Sequence, residues 1–357
     1  MALQASYSKK VFQFNFEART SRGLMKDKTS WFIKIWDDRK PEMIGIGECG
    51  PLPGLSIDAI PNFETVLGDV VASIPQSDHL NSSTLKHFLD LIPPQFPAIT
   101  FGVETALLDL MQGGKRIIFD NDFIRGKPIP INGLVWMGDL DFMIDQIDQK
   151  IKQGFRCIKL KVGSLDFDRE CEVLAYVRRR YGQKDLSLRL DANGAFKVEE
   201  ALLKLQALEE FNIHSIEQPI KQHLSEMAEL CRQSPIPVSL DEELIGVETH
   251  DQKFEMLSRI KPQFITLKPT LHGGLSGCND WIEIASQLGI GWWVTSALES
   301  NIGLNAICQF TGNYNITIPQ GLGTGAIYEN NFKAPLQVKE GNIFFNVSRG
   351  WGLENGN

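Results

Sequence analysis

Cys157-Ile158-Lys159-Leu160-Lys161-Val162-Gly163 is a short, mainly apolar stretch whose composition predicts a β-strand. Because successive side chains of a strand point to opposite faces, Lys159 and Lys161 lie on the same face. Two neighbouring ammonium groups repel each other, so they must reach either solvent or a polar site where the strand ends. For an isolated Lys-x-Lys pair solvent is the ordinary outcome, since lysine is rarely buried.

Four apolar stretches further along the chain also end in an ionisable residue, and this pattern favours the polar site. The residues are, in order, Asp191, Glu217, Asp241 and Lys268. They follow Lys161 and one another at intervals of roughly 25 to 30 residues, about the length of one strand, one helix and two loops. In a (β/α)8 barrel such strand ends lie at one mouth, where active sites are found. The sequence therefore predicts one functional site built from these charged side chains.

The rest of the chain divides into two predicted domains. Residues 1–115 contain strand-like stretches followed by helical ones, which indicates an N-terminal α+β capping domain. Residues 116–331 alternate strand-like and helix-like stretches as far as a last strand near 316–321. This alternation indicates an α/β fold, a (β/α)8 barrel or modified TIM barrel. The C-terminal tail, residues 332–357, is expected to return to the capping domain and complete it.

The composition is that of an ordinary globular protein, with 43% apolar and 22% charged residues in a chain of 357. A net charge of −8 without a basic run argues against nucleic acid as a partner. No apolar stretch approaches the roughly 18 residues of a membrane span, and no signal peptide is evident. The six cysteines include no Cys-x-x-Cys pair and indicate reduced thiols. We expect a cytoplasmic protein with no membrane partner that could form a homo-oligomer.

One polar stretch of the capping domain, residues 17–28, has two interpretations. It includes the cations Arg19, Arg22, Lys26 and Lys28. It is either a solvated hairpin loop between two strands or a lid over the barrel mouth whose positive charge attracts an anionic substrate. The residues themselves do not decide between the two.

The three carboxylates of the predicted site indicate a metal ion. Asp191, Glu217 and Asp241 would not all stay ionised at one point without a cation between them. Mg²⁺ is the predicted occupant, since it prefers oxygen ligands and leaves positions for a substrate carboxylate, whereas the lack of histidine and cysteine disfavours zinc. Three separate salt bridges are the alternative. Glu242 is expected to point to the other side of the strand end and to hold a metal ligand or a lysine in place. Asn193 is expected to face the mouth of the barrel.

The lysines indicate proton abstraction from carbon. Lys161 and Lys268 end the second and sixth predicted strands, so they lie on opposite sides of the barrel with the metal between them. The adjacent ammonium of Lys159 and the metal both favour a neutral amine at Lys161, which is therefore the predicted base. Its target is the α-carbon of a carboxylate, because a metal can neutralise the enediolate that forms.

The order Lys-x-Lys, Asp, Glu, Asp-Glu, Lys resembles the enolase superfamily, muconate-lactonizing subgroup, as does Gly47-Glu48-Cys49-Gly50-Pro51-Leu52-Pro53-Gly54-Leu55-Ser56 in the cap. The resemblance covers nearly the whole chain. It implies an enzyme that depends on Mg²⁺, with Mn²⁺ as a substitute. It also implies that Lys161 removes the α-proton while Lys268 stabilises the enediolate by charge and cation–π contact. The mandelate racemase branch uses a histidine–aspartate pair instead, and here the sixth strand ends in Lys268.

Within the subgroup, three stretches imply a dehydratase. They are Lys268-Pro269-Thr270 followed by Gly273-Gly274, residues 296–303, and Arg189-x-Asp191. The implied reaction is elimination of water from 2-succinyl-6-hydroxy-2,4-cyclohexadiene-1-carboxylate, a step of menaquinone biosynthesis. Lys161 would return the abstracted proton to the leaving hydroxide.

The implied substrate is a dicarboxylate. The side chains expected to contact it are Arg189, Asn193, Ser296 and Arg19, although Ala297 replaces a serine that relatives often carry. One alternative function is that of an N-acylamino acid racemase or dipeptide epimerase of the same subgroup. Residues 321–325 lack the carboxylates with which dipeptide epimerases hold the substrate's amino group. The other alternative is a non-catalytic protein that binds a dicarboxylate.

Overall fold

The computed structural model describes residues 3–20, 23–74, 80–163 and 166–352, without the side chains of residues 19 and 20. In these ranges no helix is long and apolar enough to cross a membrane. The six cysteines are all free thiols, and five of them are buried, which agrees with the reduced state expected from their spacing.

The capping domain is an antiparallel sheet covered by helices. Its strands are β1 (Leu3–Thr20), β2 (Gly23–Asp37) and β3 (Lys40–Cys49), and its helices are α1 (Phe63–Ser73), α2 (Ser82–Leu91) and α3 (Pro97–Met111). The strands pair in the order β1-β2-β3. Helix α3 packs directly on β3, because a Cβ atom on Gly45 or Gly47 would overlap backbone carbonyl oxygens of α3. Alternation along β2 turns Ile33 and Ile35, both fully buried, into the core under these helices.

The polar stretch of residues 17–28 belongs to the β1–β2 hairpin. The two strands stay paired as far as Thr20 and Gly23, beyond a register irregularity between Gln13 and Ala18. The described residues of the stretch, 17–20 and 23–28, therefore extend two long strands and do not form a separate loop.

The cations of this stretch occupy different environments. Lys26 is exposed, whereas Lys28 is only 1% exposed and lies inside the molecule. The predicted role of Lys28 as a lid cation is therefore wrong, because a buried ammonium cannot attract a ligand from solvent. The side chain of Arg19 and the whole of Arg22 lie outside the described residues.

The barrel consists of strand–helix units that follow one another along the chain. Its strands are β5 (Gly133–Val135), β6 (Cys157–Lys161), β7 (Ser187–Asp191), β8 (Ser215–Glu217), β9 (Val238–Leu240), β10 (Phe264–Leu267) and β11 (Gly291–Val294). A two-residue strand, β4 (Ile129–Pro130), precedes them and belongs to a separate small sheet. Its helices are α4 (Leu140–Lys152), α5 (Phe167–Arg180), α6 (Val198–Leu208), α7 (Leu224–Gln233), α8 (His250–Ile260), α9 (Gly274–Leu288) and α10 (Asn301–Thr311). Strands β5 to β11 form one parallel sheet in chain order, since each helix returns the chain to start a neighbouring strand. The predicted modified TIM barrel with an N-terminal cap is confirmed.

The eighth strand, predicted near residues 316–321, is reduced to two bridges. Gln320 pairs with Ile131 and Gly321 pairs with Thr295, which closes the ring between the first and last strands. Pro319 immediately before them has no backbone N–H with which to extend the ladder.

The C-terminal tail contacts both domains. It forms the antiparallel hairpin of β12 (Leu336–Lys339) and β13 (Asn342–Phe345). Strand β13 pairs with β4 at the start of the barrel, so this hairpin differs from the expected return to the cap. Phe332 does return there: its ring packs against Phe12 of β1 and Phe32 of β2, with centroids 5.8 and 5.1 Å apart.

Candidate active site

The carboxyl ends of β6 to β10 bring the charged side chains singled out in the sequence to one mouth of the barrel. Parallel pairing sets Lys161 beside Asp191, and Asp191 beside Glu217. Asp241 and Lys268 directly follow the last residues of β9 and β10. The three carboxylates are at most 1% exposed, so the site has a low-dielectric floor.

Three lysines pair with these carboxylates. Lys159 Nζ donates to both carboxylate oxygens of Glu217, at 2.7 and 2.8 Å, and lies 2.9 Å from Asp191 Oδ2. Lys161 Nζ lies 2.7 Å from the same oxygen of Asp191. Lys268 Nζ donates to Asp241 Oδ2. The cluster therefore alternates positive and negative groups across the mouth.

Burial and charge act in opposite directions on these groups. Burial lowers the pKa of Lys159, but Asp191, Glu217 and Asp241 outweigh it and raise that pKa above its ordinary value. For Asp191 burial acts to raise the pKa, and Lys159 and Lys161 outweigh it, so the pKa lies well below its usual range. Burial, and then the charge of Asp191, raise the pKa of Glu217 to about 7. Asp191 has two ammonium partners, Lys159 and Lys161, whereas Glu217 is paired with Lys159.

The three carboxylates fit a hard divalent cation, although they do not form a closed cluster. Among the described residues, no three His, Cys, Asp or Glu side chains stand together as a preformed metal site. Asp241 Oδ1 is buried and has no hydrogen-bond partner within the described part of the chain. A buried, unpaired carboxylate oxygen beside Asp191 and Glu217 is the donor chemistry that Mg²⁺ prefers. The ligand set itself stays a prediction.

Asn193 and Glu242 support Lys161. The Nζ of Lys161 donates to Asn193 Oδ1 at 2.7 Å, and Asn193 Nδ2 donates to Glu242 Oε1 at 3.0 Å. The backbone N–H of Asn193 donates to Asp191 Oδ1 at 3.1 Å, in a turn where Asn193 takes a left-handed φ of 44° that asparagine tolerates. Glu242 therefore reaches a lysine through Asn193, and the role predicted for it stays a prediction.

His272, in the turn that follows β10, fixes the backbone of Lys268. The N–H of Lys268 donates to His272 Nδ1 at 3.0 Å, inside a turn that buries the histidine. Burial lowers the pKa of His272 well below its ordinary value, and the nearby charge of Lys268 adds to the effect. The imidazole is therefore neutral, as an acceptor at Nδ1 must be.

A cavity of about 400 Å³ opens above the cluster. Lys161, Lys268 and Asn193 lie on it from the barrel. Asn15 and Phe16 of β1 line it from the cap, so the hairpin forms part of its roof. Further lining comes from Trp136, residues 295–298, and Gly321, Gly323 and Thr324. The volume suits a small organic molecule.

The predicted substrate contacts meet different outcomes. Ser296 lines the cavity, and its Oγ lies 2.6 Å from Thr324 Oγ1. Arg189 is 1% exposed and does not line the cavity. Its guanidinium stacks 4.0 Å from the ring centroid of Trp293 and donates to Pro319 O at 2.7 Å. The prediction for Arg189 is corrected: two residues before Asp191 on the same strand face, it lies one layer deeper in the barrel.

Comparison with known proteins identifies the superfamily to which this chain belongs. Residues 143–355 match the family described as enolase C-terminal domain-like. The chain belongs to the enolase superfamily, whose members generally use Mg²⁺. The family match spans the strands that carry all three carboxylates and the three lysines of the site.

Individual members of the superfamily are similar to this chain over most of its length. The o-succinylbenzoate synthase of Desulfotalea psychrophila (strain LSv54 / DSM 12343) is 42% identical over 95% of this chain and 98% of its own length. The crystal structure of MenC from Desulfotalea psychrophila LSv54 superposes with a TM-score of 0.87 and 40% identity, covering 96% of this chain and all of that one. The L-Ala-D/L-Glu epimerase of Bacillus subtilis (strain 168) is 26% identical over 83% of this chain and 78% of its own.

Proposed function

We infer that this chain catalyses the o-succinylbenzoate synthase reaction, a hydro-lyase step of menaquinone biosynthesis. Water is eliminated from 2-succinyl-6-hydroxy-2,4-cyclohexadiene-1-carboxylate to give o-succinylbenzoate. The proton on C1 and the hydroxyl on C6 leave from the same face, and the new C1–C6 double bond makes the ring aromatic. The observation that carries this inference is that Lys161 and Lys268 share one cavity in a chain 42% identical to a protein of that name.

Lys161 is the amine best placed to act as the base. It lines the cavity, and Asp191 and Asn193 each hold its Nζ at 2.7 Å. Lys159 is unsuited to the task, because its ammonium is shared between the carboxylates of Asp191 and Glu217. Lys161 takes the proton from C1, whose bonding electrons pass into the enediolate, and then gives that proton to the departing hydroxide. It ends the turnover in the protonation state in which it began.

Lys268 supplies a fixed positive charge on the other side of the cavity. Burial lowers its pKa, but Asp241 and Glu217 outweigh burial and raise it, so the ammonium form persists. An ammonium group here stabilises the negative charge that develops on the substrate carboxylate and makes a cation–π contact with the forming ring.

We propose that Asp191, Glu217 and Asp241 hold Mg²⁺, with Mn²⁺ able to replace it. When bound, the ion supplies positive charge against the enediolate. The unpaired Asp241 Oδ1 supports this assignment. Glu242 acts behind the site, where it holds Asn193 and through it the amine of Lys161.

The second carboxylate of the substrate is proposed to lie toward Ser296 and the hairpin of the cap. Ser296 stands on the cavity wall with its hydroxyl beside that of Thr324. Arg19 and Lys26 of the hairpin stay the predicted source of long-range attraction for a dianion. The partner is thus a small molecule; the cytoplasmic location and assembly into a homo-oligomer stay predictions from the sequence.

Epimerisation of dipeptides is the nearest alternative, because an epimerase is among the relatives. A dipeptide brings a free ammonium group, and the cavity wall at Gly321, Gly323 and Thr324 offers it no carboxylate. An ammonium left unpaired in a dry cavity costs several kcal/mol. N-succinylated amino acids carry two carboxylates and no free amine, so they are candidate secondary substrates.

An assay of substrate classes tests the proposal. Purified protein with Mg²⁺ is offered the cyclohexadiene carboxylate, a panel of N-acylamino acids and a panel of dipeptides, and product is identified by chromatography and optical rotation. We expect rapid formation of o-succinylbenzoate and no epimerised dipeptide, with Lys161→Ala as the inactive control. Efficient dipeptide epimerisation without dehydration would overturn the proposed function, and no turnover at all would point to a binding protein.

A further inference from the structure

A carboxylate of the cap holds the start of a barrel helix. Glu48, in β3, is fully buried. Its oxygens accept hydrogen bonds from the backbone N–H of Ser300 at 3.0 Å, the hydroxyl of Ser300 at 2.6 Å and the backbone N–H of Gly303 at 3.0 Å. Ser300 and Gly303 lie at the first turn of α10, where free N–H groups favour a negative charge. The contact joins residues 252 positions apart in the chain.

A buried cation completes this cluster. Lys28 donates to the hydroxyl of Ser30 at 3.4 Å, and Ser30 donates to Glu48 Oε1 at 2.8 Å. The ammonium of Lys28 interacts with the charges of both Glu48 and Glu299, the latter also fully buried. Room for the ammonium depends on Gly50, where a Cβ atom would come within 2.6 Å of Lys28 Nζ.

The segment that the cluster holds is a wall of the cavity. Residues 295–298, which lead from β11 toward Ser300, line the cavity. Leu298 adopts a φ of 61°, a left-handed conformation that a branched residue rarely takes without support. Support comes from both sides: Glu299 accepts from the N–H of Ala297 at 2.8 Å, and Tyr328 donates to the carbonyl of Leu298 at 2.7 Å.

We propose that Glu48, with Lys28 as its counter-ion, is a positioning residue that fixes the 295–300 segment as the specificity wall against the substrate's second carboxylate arm. This proposal rests on the proposed function, which identifies the substrate arm that carries the second carboxylate. Its physical basis is that Glu48 does not line the cavity and does not contact the active-site lysines Lys161 and Lys268. The segment that Glu48 anchors through Ser300 forms the cavity wall. The cap thereby determines the shape of a barrel loop.

Glu48→Gln tests the anchor with almost no change of shape. Both oxygens of Glu48 accept hydrogen bonds, so an amide nitrogen in place of either would face donors. We expect KM for the cyclohexadiene carboxylate to rise about tenfold or more with kcat changed less than about threefold, because ground-state binding is lost while the lysines stay in place. Amide hydrogen exchange of residues 295–303 should become faster. Ser300→Ala, which removes the hydroxyl bond to Glu48 and the N-cap bond from the N–H of Ile302, should act in the same direction.

Lys28→Met tests the counter-ion. Alone it should raise KM, because Glu48 and Glu299 then repel each other in a buried site. Combined with Glu48→Gln, the KM increase should be smaller than the product of the two single increases, as expected for groups in one network. If the KM increase of the double variant equals the product of the two single increases, Lys28 does not act as the counter-ion of Glu48.

Glu104→Gln is the matched control. Glu104, in α3, is also a buried cap carboxylate that accepts from backbone N–H groups at the start of a barrel helix, those of Leu275 and Ser276 in α9. Residues 269–273 before that helix, all described, do not line the cavity. This variant should leave KM and the exchange of residues 295–303 near wild type.

Two results would overturn the proposal: wild-type KM and exchange in Glu48→Gln, or equal changes in Glu48→Gln and Glu104→Gln, which would reflect general loosening of the cap. If Glu48→Gln does not fold, Ser300→Ala carries the same test. A wild-type enzyme that leaves the cyclohexadiene carboxylate untouched would refute the proposed function alone, since the exchange comparison needs no substrate.

Discussion

Lys159 Nζ contacts both carboxylate oxygens of Glu217, at 2.7 and 2.8 Å, and so serves as an internal cation inside the ring of carboxylates. Its ammonium lies 2.9 Å from Asp191 as well. Both lysines of this face of β6 line the cavity, but Lys159 is shared between the carboxylates of Asp191 and Glu217, whereas Lys161 contacts Asp191 and Asn193. Lys159 therefore influences the base through the carboxylates that both lysines contact.

Removing that internal cation should make the protein depend on metal for stability. In Lys159→Met, Asp191 and Glu217 lose a buried partner, and loss of one member of a buried pair costs about 3 kcal/mol or more. We expect the unfolding temperature in chelator to fall well below that of wild type, and added Mg²⁺ to raise it more in the variant than in wild type. Calorimetry with chelator and with Mg²⁺ measures both.

Lys253→Met is the control for this variant. Lys253 is 3% exposed and pairs with Asp280 at 2.7 Å, outside the active site. It should lower the unfolding temperature without changing the response to Mg²⁺. An equal Mg²⁺ response in Lys159→Met and wild type would contradict the role given to Lys159.

Chelation should abolish turnover, and Mg²⁺ or Mn²⁺ should restore it. Asp241→Asn removes one ligand charge, so the Mg²⁺ concentration for half-maximal activity and for half-maximal thermal stabilisation should both rise at least about tenfold. Asp122→Asn, an exposed change on the surface, should alter neither. Full turnover in metal-free protein would refute the metal site.

Substitutions of Lys161 and Lys268 should have different effects on catalysis, because the two lysines support different parts of the reaction. Lys161→Ala should abolish both turnover and exchange of the substrate's α-proton with deuterated water. Lys268→Ala should lower kcat by about 10²–10³, the loss expected for one group that stabilises an oxyanion. Asn193→Ala should lower kcat with little change in Mg²⁺ affinity, because it frees the amine of Lys161 without removing a carboxylate. Near-native activity of Lys161→Ala would show that the base is another group.

The sequence revealed most of the site because the relevant signal is local. An apolar stretch that ends in an ionisable residue can be recognised without knowing its neighbours, and parallel strands then bring Lys161, Asp191 and Glu217 side by side. The same reasoning predicted the barrel, since its strand–helix units alternate regularly. Each of these features depends on a few consecutive residues and on one rule of topology.

What the sequence could not reveal depends on partners far along the chain. Lys28 looks like a surface cation until Glu299 is brought beside it from the barrel. Arg189 shares a strand face with Asp191, and only the tilt and depth of the barrel decide which of them reaches the cavity. Strand β13 could not be matched with β4 from alternation alone, because both are too short to show a preferred partner.

Charge on the hairpin should act on substrate capture. Arg19→Ala combined with Lys26→Ala should raise KM more than it lowers kcat, and high salt should reduce the difference from wild type, because screening weakens long-range attraction. Steady-state kinetics at low and high ionic strength measure both effects. Lys86→Ala, an exposed lysine on α2, serves as the control. An unchanged KM would show that Arg19 and Lys26 do not contribute to substrate binding.

Stability should fall as the pH rises through the titration of Glu104. Burial raises the pKa of Glu104 to about 7 from its ordinary value of 4.5, although the N–H groups of Leu275 and Ser276 oppose the change. The folded state therefore holds this proton more tightly than the unfolded state, so the stabilisation is complete below about pH 4.5 and is lost as the pH approaches and passes 7. The loss is on the order of 1–3 kcal/mol in the free energy of unfolding. Urea unfolding of wild type and of Glu104→Gln at pH 5 and pH 8 measures it by difference. The variant has no proton to lose at this position, so its stability relative to wild type should rise with pH, and a constant difference between the two proteins would show that Glu104 titrates alike in both states.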